Sequence, residues 1–130
     1  MKNVIITGTS SGIGLELVKI FSKEDFKVIS LSRSDLSIKP LNGVRHINFD
    51  ITDEKSVDNL IDIIKNEYKN IDILINNAGK LVNKPFEDIS RDDIYSVFDV
   101  NVFGVFNLIQ KLLPYFKKKS HVVNISSVGG

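Results

Sequence analysis

The sequence predicts an α/β domain built on an open, doubly wound parallel sheet of about five strands, with helices on both faces. Three observations carry this. Short β-branched runs alternate with longer amphipathic stretches along the 130 residues, and strands separated by helices imply right-handed crossovers. The run Ile71 to Ile75 is apolar on both faces apart from Asp72, as suits a parallel strand covered on both sides. A glycine-rich segment stands between the first strand and the first helix, the place where such sheets bind ligands.

Each element has its own signal. Val4-Ile5-Ile6 reads as a buried strand. Ile13 to Ser22 reads as a helix with Ile13, Leu17, Ile20 and Phe21 on one side. Phe26 to Leu31 is a second strand, and Val44 to Phe49 a third, reached through the turn-like Pro40-Leu41-Asn42-Gly43. The next helix has Thr52 as its expected N-cap, Asp53 and Glu54 in the first turn, and Lys65 and Lys69 near the end. Its buried stripe is Val57, Leu60, Ile61 and Ile64. Ile71 to Ile75 is the fourth strand. Ser90 opens the longest helix, which runs to about Leu113, where Pro114 disturbs or ends it. Val122 to Ile125 is the fifth strand.

Composition narrows the function classes. The hydrophobic fraction is 42%, which argues against disorder, and no apolar run reads as long enough to span a membrane. Lys and Arg total 17 against 16 Asp and Glu, a net charge of +1, so no electrostatic footprint for nucleic acid or an anionic bilayer is expected. There is no cysteine, hence no disulfide framework and no thiolate metal cluster. His46 and His121 lack metal-ligand spacing and read as structural or solvent-facing; no metal site is expected. The strand-like start at Met1 leaves no room for a signal peptide. The expectation is a cytoplasmic protein, with residues 1–130 as one unit.

The glycine segment is Thr7-Gly8-Thr9-Ser10-Ser11-Gly12-Ile13-Gly14. Glycines at a strand-to-helix turn permit the tight turn, close backbone approach to a ligand, and close helix–strand packing. The free N–H groups of the following helix then face an anion. No Gly-Lys-Ser/Thr follows, which excludes a mononucleotide P-loop.

The spacing Gly-x-x-x-Gly-x-Gly resembles the cofactor loop of the short-chain dehydrogenase/reductase family. Three further segments agree in order and distance: Asn76-Asn77-Ala78-Gly79 after the fourth strand, Asn101 inside the long helix, and Asn124-Ile125-Ser126-Ser127 at the fifth. The resemblance covers essentially the whole sequence and implies a Rossmann-like domain that binds a dinucleotide. It implies cofactor contacts from Thr7, Gly8, Ser10, Ser11, Gly12, Ile13 and Gly14, and from Asn77, Ala78 and Gly79. It also implies that Asp50 and Ile51 meet the adenine, and that Asn101 and Ser127 are catalytic.

The cofactor itself is read at the end of the second strand. An acidic residue about 20 positions past the glycines usually holds the adenosine ribose of NAD. Here Ser32 stands where similar NAD enzymes carry Asp, and Arg33 follows. A guanidinium flanked by hydroxyls suits the 2′-phosphate of NADP, so NADP is expected over NAD. Arg33 as a solvated loop residue, or Asp35 reaching the ribose, would weaken or reverse that preference. Ser11 is not the basic residue that many NADP-preferring relatives use there. Only ten residues separate Arg33 from Val44, so the helix usual between these strands is expected to shrink to a turn.

In the family, Tyr is the acid/base, Lys lowers its pKa and Ser orients the reacting oxygen; a free Tyr has a pKa near 10. The Tyr-x-x-x-Lys pair is expected after Ser127, and the sequence ends at Gly130. Tyr115 and Lys119 fit the pair by letter only, since they precede the fifth strand, at the wrong end of the sheet. Tyr115 reads as a helix-end surface residue and Lys117 to Lys119 as a solvated patch. The function expected from the resemblance is NAD(P)-dependent hydride transfer between nicotinamide and a carbonyl/alcohol substrate, with this chain alone inactive. The alternative is a non-catalytic dinucleotide-binding module or a truncated fragment. The helix 91–113 carries a wider apolar arc than one sheet face covers, and the resemblance implies a homo-oligomer through it.

Overall fold

The structure, a computed structural model, describes residues 1–126. Five strands, β1 Lys2–Thr7, β2 Phe26–Ser32, β3 Val44–Asn48, β4 Ile71–Asn76 and β5 Phe116–Asn124, form one parallel sheet in the order β3-β2-β1-β4-β5. The chain builds outward from β1 to β3, then crosses back to place β4 on the other side of β1. The strand order therefore reverses between β1 and β4. That is the switch point where open α/β sheets bind ligands.

Alternation along β1 sorts the core into two layers. Val4 and Ile6 face α1, Gly12–Ser22, together with Val28 and Ile75. Ile5 faces the opposite layer with Ile29, Leu31 and Leu74, where α2 (Glu54–Ile63) and the long helix pack. Helices thus cover both faces. The long helix comprises α3 (Arg91–Phe98), a π-helical turn at Asp99–Gly104, α4 (Val105–Leu112) and a 3-10 turn at Leu113–Tyr115.

Four expectations are corrected. In α1 the buried residues are Gly14 and Val18, with Leu17 and Phe21 beside them, while Ile13 and Ile20 stay exposed. The glycine lets the helix lie close to the sheet on its own side, which hydropathy alone does not register. The N-cap of α2 is Asp53, whose carboxylate accepts from the Lys55 N–H; the Thr52 hydroxyl instead donates to Asp50. β5 begins at Phe116, paired with Ile71, and four residues, Lys117 to Ser120, stand opposite the single Asp72 before His121 pairs with Ile73. Ser120 secures this bulge by donating to the Ile71 carbonyl at 2.7 Å and accepting from the Lys117 N–H at 2.7 Å. Its lysines are exposed, and Lys117 reaches Asp72 at 3.1 Å. The span Arg91–Tyr115 is, by length and composition, long and apolar enough to cross a membrane, contrary to the sequence-level expectation. In this fold it lies over the sheet through the fully buried Leu108 and Leu112.

No helix occupies residues 33–43, so the β2–β3 connection is reduced as expected. Asp35 is tied to β3, its carboxylate accepting from the Asn48 side chain at 2.9 Å.

The long helix starts with a reciprocal cap. Ser90 Oγ accepts from the Asp93 N–H at 3.0 Å, and Asp93 Oδ2 accepts from the Ser90 N–H at 3.0 Å. Lys84 donates to the same oxygen at 2.8 Å. The Lys84 bond first, then the Ser90 N–H, lowers the Asp93 pKa to about 2, against about 3.9 in an unfolded chain. Asp93 therefore stabilises the fold above about pH 4, and that contribution is lost as pH falls through about 2. Urea unfolding across this range should show the wild type converging on Asp93→Asn as pH falls. At neutral pH, Ser90→Ala should cost about 1 kcal/mol.

Candidate functional site

The site begins at the carboxyl ends of β1 and β4. Thr7 is buried, and its Oγ1 accepts from the backbone N–H of both Asn77, at 3.0 Å, and Ala78, at 2.9 Å. In return the Asn77 side chain donates to the Gly8 carbonyl at 3.0 Å. These three bonds fix the glycine loop against the segment following β4.

The glycines divide the remaining work. A Cβ on Gly8, which has φ +69°, would lie 2.8 Å from Ala78 Cα. A Cβ on Gly14 would lie 2.1 Å from the Gly8 carbonyl oxygen and 2.6 Å from the Asn77 amide nitrogen. Both positions are closed by backbone. Gly12 differs: its φ is +59°, yet nothing lies within 4 Å of its Cβ position. The loop at Gly12 is left-handed and open, a place where a ligand can approach the backbone. Ser11, the N-cap of α1, makes no side-chain capping bond, so its side chain does not satisfy the N–H groups of the first turn.

Beside this loop is a crevice of about 300 Å³. Of the residues expected from sequence, Thr7, Gly8, Ser10, Ser32 and Arg33 line it from the β1–β2 side. Asp50 and Ile51 line it from the end of β3, and Ala78 and Gly79 from the end of β4. Gly14 and Asn77 support the wall through the contacts above, and Ser11, Gly12 and Ile13 lie on the outer loop, exposed.

Charge in the crevice is mixed. Arg33 is exposed, and Asp50 is held below the ordinary carboxylate range. The Thr52 hydroxyl, at 2.7 Å, is the main cause, followed by the Thr52 N–H at 2.9 Å; the Arg33 charge adds to them while burial opposes. Both Thr52 bonds use Oδ1. Asp50 thus caps the following turn and lines the crevice at once.

Asn101 sits in the π-helical turn; it is not itself part of the crevice lining but lies directly against its residues Gly79 and Lys80. Its side chain grips the backbone of Lys80, accepting from the N–H at 2.8 Å and donating to the carbonyl at 2.9 Å. Ser127 lies outside the described residues. Among the described residues no tyrosine lines the crevice. Tyr68 and Tyr115 pack against the core instead, and burial first of all pushes the Tyr68 hydroxyl above its ordinary value. Tyr115 is half-buried, a correction to its expected surface place, and stands at the amino end of β5.

Sequence reasoning missed part of the lining. Lys80 directly follows Gly79, and Ser96, Asp99 and Val100 fall three and four residues apart on the helix that carries Asn101; that spacing was the available signal. Lys80 Nζ donates to Ser96 Oγ. Gly104 was also missed, although a Cβ there would lie 3.1 Å from Ile51. His46, expected to be structural or solvent-facing, is half-buried and bonded on both ring nitrogens. No metal-binding group of His, Cys, Asp and Glu occurs among the described residues.

Comparison with known proteins gives a consistent result. Residues 2–130 match the family model described as short chain dehydrogenase. An uncharacterized oxidoreductase of Staphylococcus saprophyticus is 37% identical over 99% of this chain and 56% of its own length. Serine 3-dehydrogenase of Agrobacterium fabrum is 36% identical over 96% of this chain and 53% of its own length. The chain thus spans about half the length of the curated relatives it matches. A short chain dehydrogenase from Leptospira borgpetersenii, solved with bound NAD+, superposes with a TM-score of 0.90 at 35% identity, over 98% of this chain and 52% of its own. Aldohexose dehydrogenase of Thermoplasma acidophilum, solved ligand-free, gives 0.87 at 37% identity, over 98% and 49%.

Proposed function

Because the chain belongs to the short-chain dehydrogenase family, we propose that it forms the cofactor-binding part of an oxidoreductase acting on a carbonyl/alcohol pair, with NADP preferred over NAD. The observation that carries the reading is the crevice at the β1/β4 switch point, fixed by the Thr7–Asn77–Ala78 clamp, with the open, left-handed Gly12 on the glycine loop beside it. A dinucleotide fits these residues. The open, left-handed Gly12 and the uncapped first turn of α1 suit a pyrophosphate. Asp50, ionised and with Oδ2 unused by Thr52, can accept from the adenine amine, and Ile51 offers its apolar flank. When bound, the nicotinamide supplies the hydride chemistry.

The preference for NADP rests on Arg33. It lines the crevice next to Ser32, which stands in the place where an acidic side chain would select the ribose hydroxyl of NAD. Asp35, the candidate that could reverse the preference, is not among the residues lining the crevice, and its Oδ1 accepts from Asn48. Support for a nicotinamide cofactor of some kind comes also from the NAD+-bound Leptospira relative.

On the protein side, Asn101 holds the Lys80 backbone and so fixes the segment that follows Gly79. We assign Ser127 the orientation of the reacting oxygen by resemblance alone. No acid/base tyrosine borders the crevice among the described residues, so this chain is expected to bind cofactor without turning over substrate. We further propose that a second copy covers the long helix, where Phe98, Phe103, Phe106 and Leu113 are between 48% and 68% exposed. Apolar surface of that kind marks an association site.

Fluorescence titration tests the cofactor assignment. NADPH should bind more tightly than NADH, and Arg33→Ala should weaken NADPH about tenfold or more while leaving NADH near its original affinity. Equal affinities in the wild type, unchanged in the variant, would contradict it. Sedimentation velocity should show a dimer or larger assembly that Phe106→Glu dissociates; a wild-type monomer at micromolar concentration would refute the interface.

A further inference from the structure

The connection that carries Arg33 has no helix to hold it, since residues 33–43 contain no regular element. Its first turn is instead anchored by side chains from β3. His46 pairs in register with Ser30 on β2, and its Nδ1 lies 3.0 Å from the buried Ser30 hydroxyl. That hydroxyl is 2.7 Å from the hydroxyl of Thr9, fully buried in the glycine loop. On its other side His46 Nε2 is 2.9 Å from the Ser34 carbonyl and 3.5 Å from Ser32 Oγ. A carbonyl only accepts, so Nε2 carries a ring proton. Ser32 Oγ donates to the same carbonyl at 2.7 Å. Two donors therefore hold the Ser34 carbonyl, and the residue between Ser32 and Ser34 is Arg33.

We propose that His46 is a positioning residue for cofactor selection. It fixes the Ser32–Ser34 turn so that the Arg33 guanidinium is held at the crevice, and it links that turn through Ser30 to Thr9 of the glycine loop. The proposal rests on the assignment of Arg33 to the 2′-phosphate. A pinned backbone removes part of the ordering cost that a free arginine would meet on binding a phosphate. His46 itself does not line the crevice, so it acts through the residues it holds, chiefly the Ser32–Ser34 turn that carries Arg33. Losing it should therefore weaken chiefly the cofactor that Arg33 distinguishes.

The test is titration of the chain with NADPH and NADH, comparing wild type, Arg33→Ala, His46→Ala, His46→Gln and the Arg33→Ala/His46→Ala double variant. Thermal melting serves as the folding control. His46→Ala should weaken NADPH by roughly tenfold with NADH changed less than about twofold. His46→Gln, which can still donate to the Ser34 carbonyl, should recover most of the preference. The double variant should match Arg33→Ala alone, because both substitutions act on one contact. Equal weakening of both cofactors by His46→Ala and His46→Gln would reduce His46 to a structural role and overturn the inference. So would a preference that collapses in Arg33→Ala yet survives in His46→Ala, and there the assignment of Arg33 would stand. If the wild type shows no preference and Arg33→Ala changes nothing, the assignment of Arg33 fails and His46 falls with it.

Discussion

The hydroxyl of Thr7 is the contact on which the rest of the site depends. It accepts two backbone N–H groups, from Asn77 and Ala78, at the point where neighbouring strands β1 and β4 end. Leaving a fully buried donor without a partner costs about 1–3 kcal/mol; Asn77 and Ala78 are half-buried, toward the low end of that cost, and Thr7 answers for two. The surface ion pairs, such as Lys19–Glu16 and Arg45–Glu67, are worth about 0–1 kcal/mol each. The clamp therefore outweighs them in deciding where the glycine loop lies. Once it is set, Gly8 and Gly14 must be glycine, because backbone already fills the space their side chains would take.

The same clamp explains how a sheet built for stability becomes a binding site. Strand order reverses between β1 and β4, so the helices that follow these strands leave on opposite faces and open a crevice between them. The walls come from four strand ends, with Thr7 and Gly8 at β1, Ser32 and Arg33 at β2, Asp50 and Ile51 after β3, and Ala78 and Gly79 after β4, and from Ser96, Asp99 and Val100 of the long helix. None of these groups is near another in sequence. Their assembly is a property of the parallel topology, and the loops contribute only what the strand ends position.

Much of this was legible from residue pattern. β-branched runs located all five strands, and the glycine spacing located the loop, because both depend on local backbone chemistry. What escaped was set by packing. Ile13 and Ile20 look like core residues by hydropathy, but Gly14 lets α1 approach the sheet on another side and leaves both exposed. Lys117 to Lys119 look solvated, and they are exposed, yet their backbone belongs to a bulged start of β5. Asn101 was legible within the long helix, but the π-helical turn that carries it has no residue signature of its own. His46 gave no sequence signal because its partners, Ser30 and Ser34, meet it only across the β2–β3 pairing.

The most direct test of the account is amide hydrogen exchange at Asn77 and Ala78, measured with NADPH affinity in wild type, Thr7→Ser and Thr7→Val. Serine keeps the acceptor and should preserve both properties. Valine keeps the shape without the acceptor; it should speed exchange at both amides by about tenfold or more and weaken NADPH binding. A Thr7→Val chain with wild-type protection at both amides and wild-type NADPH affinity would contradict the claim that this hydroxyl builds the site.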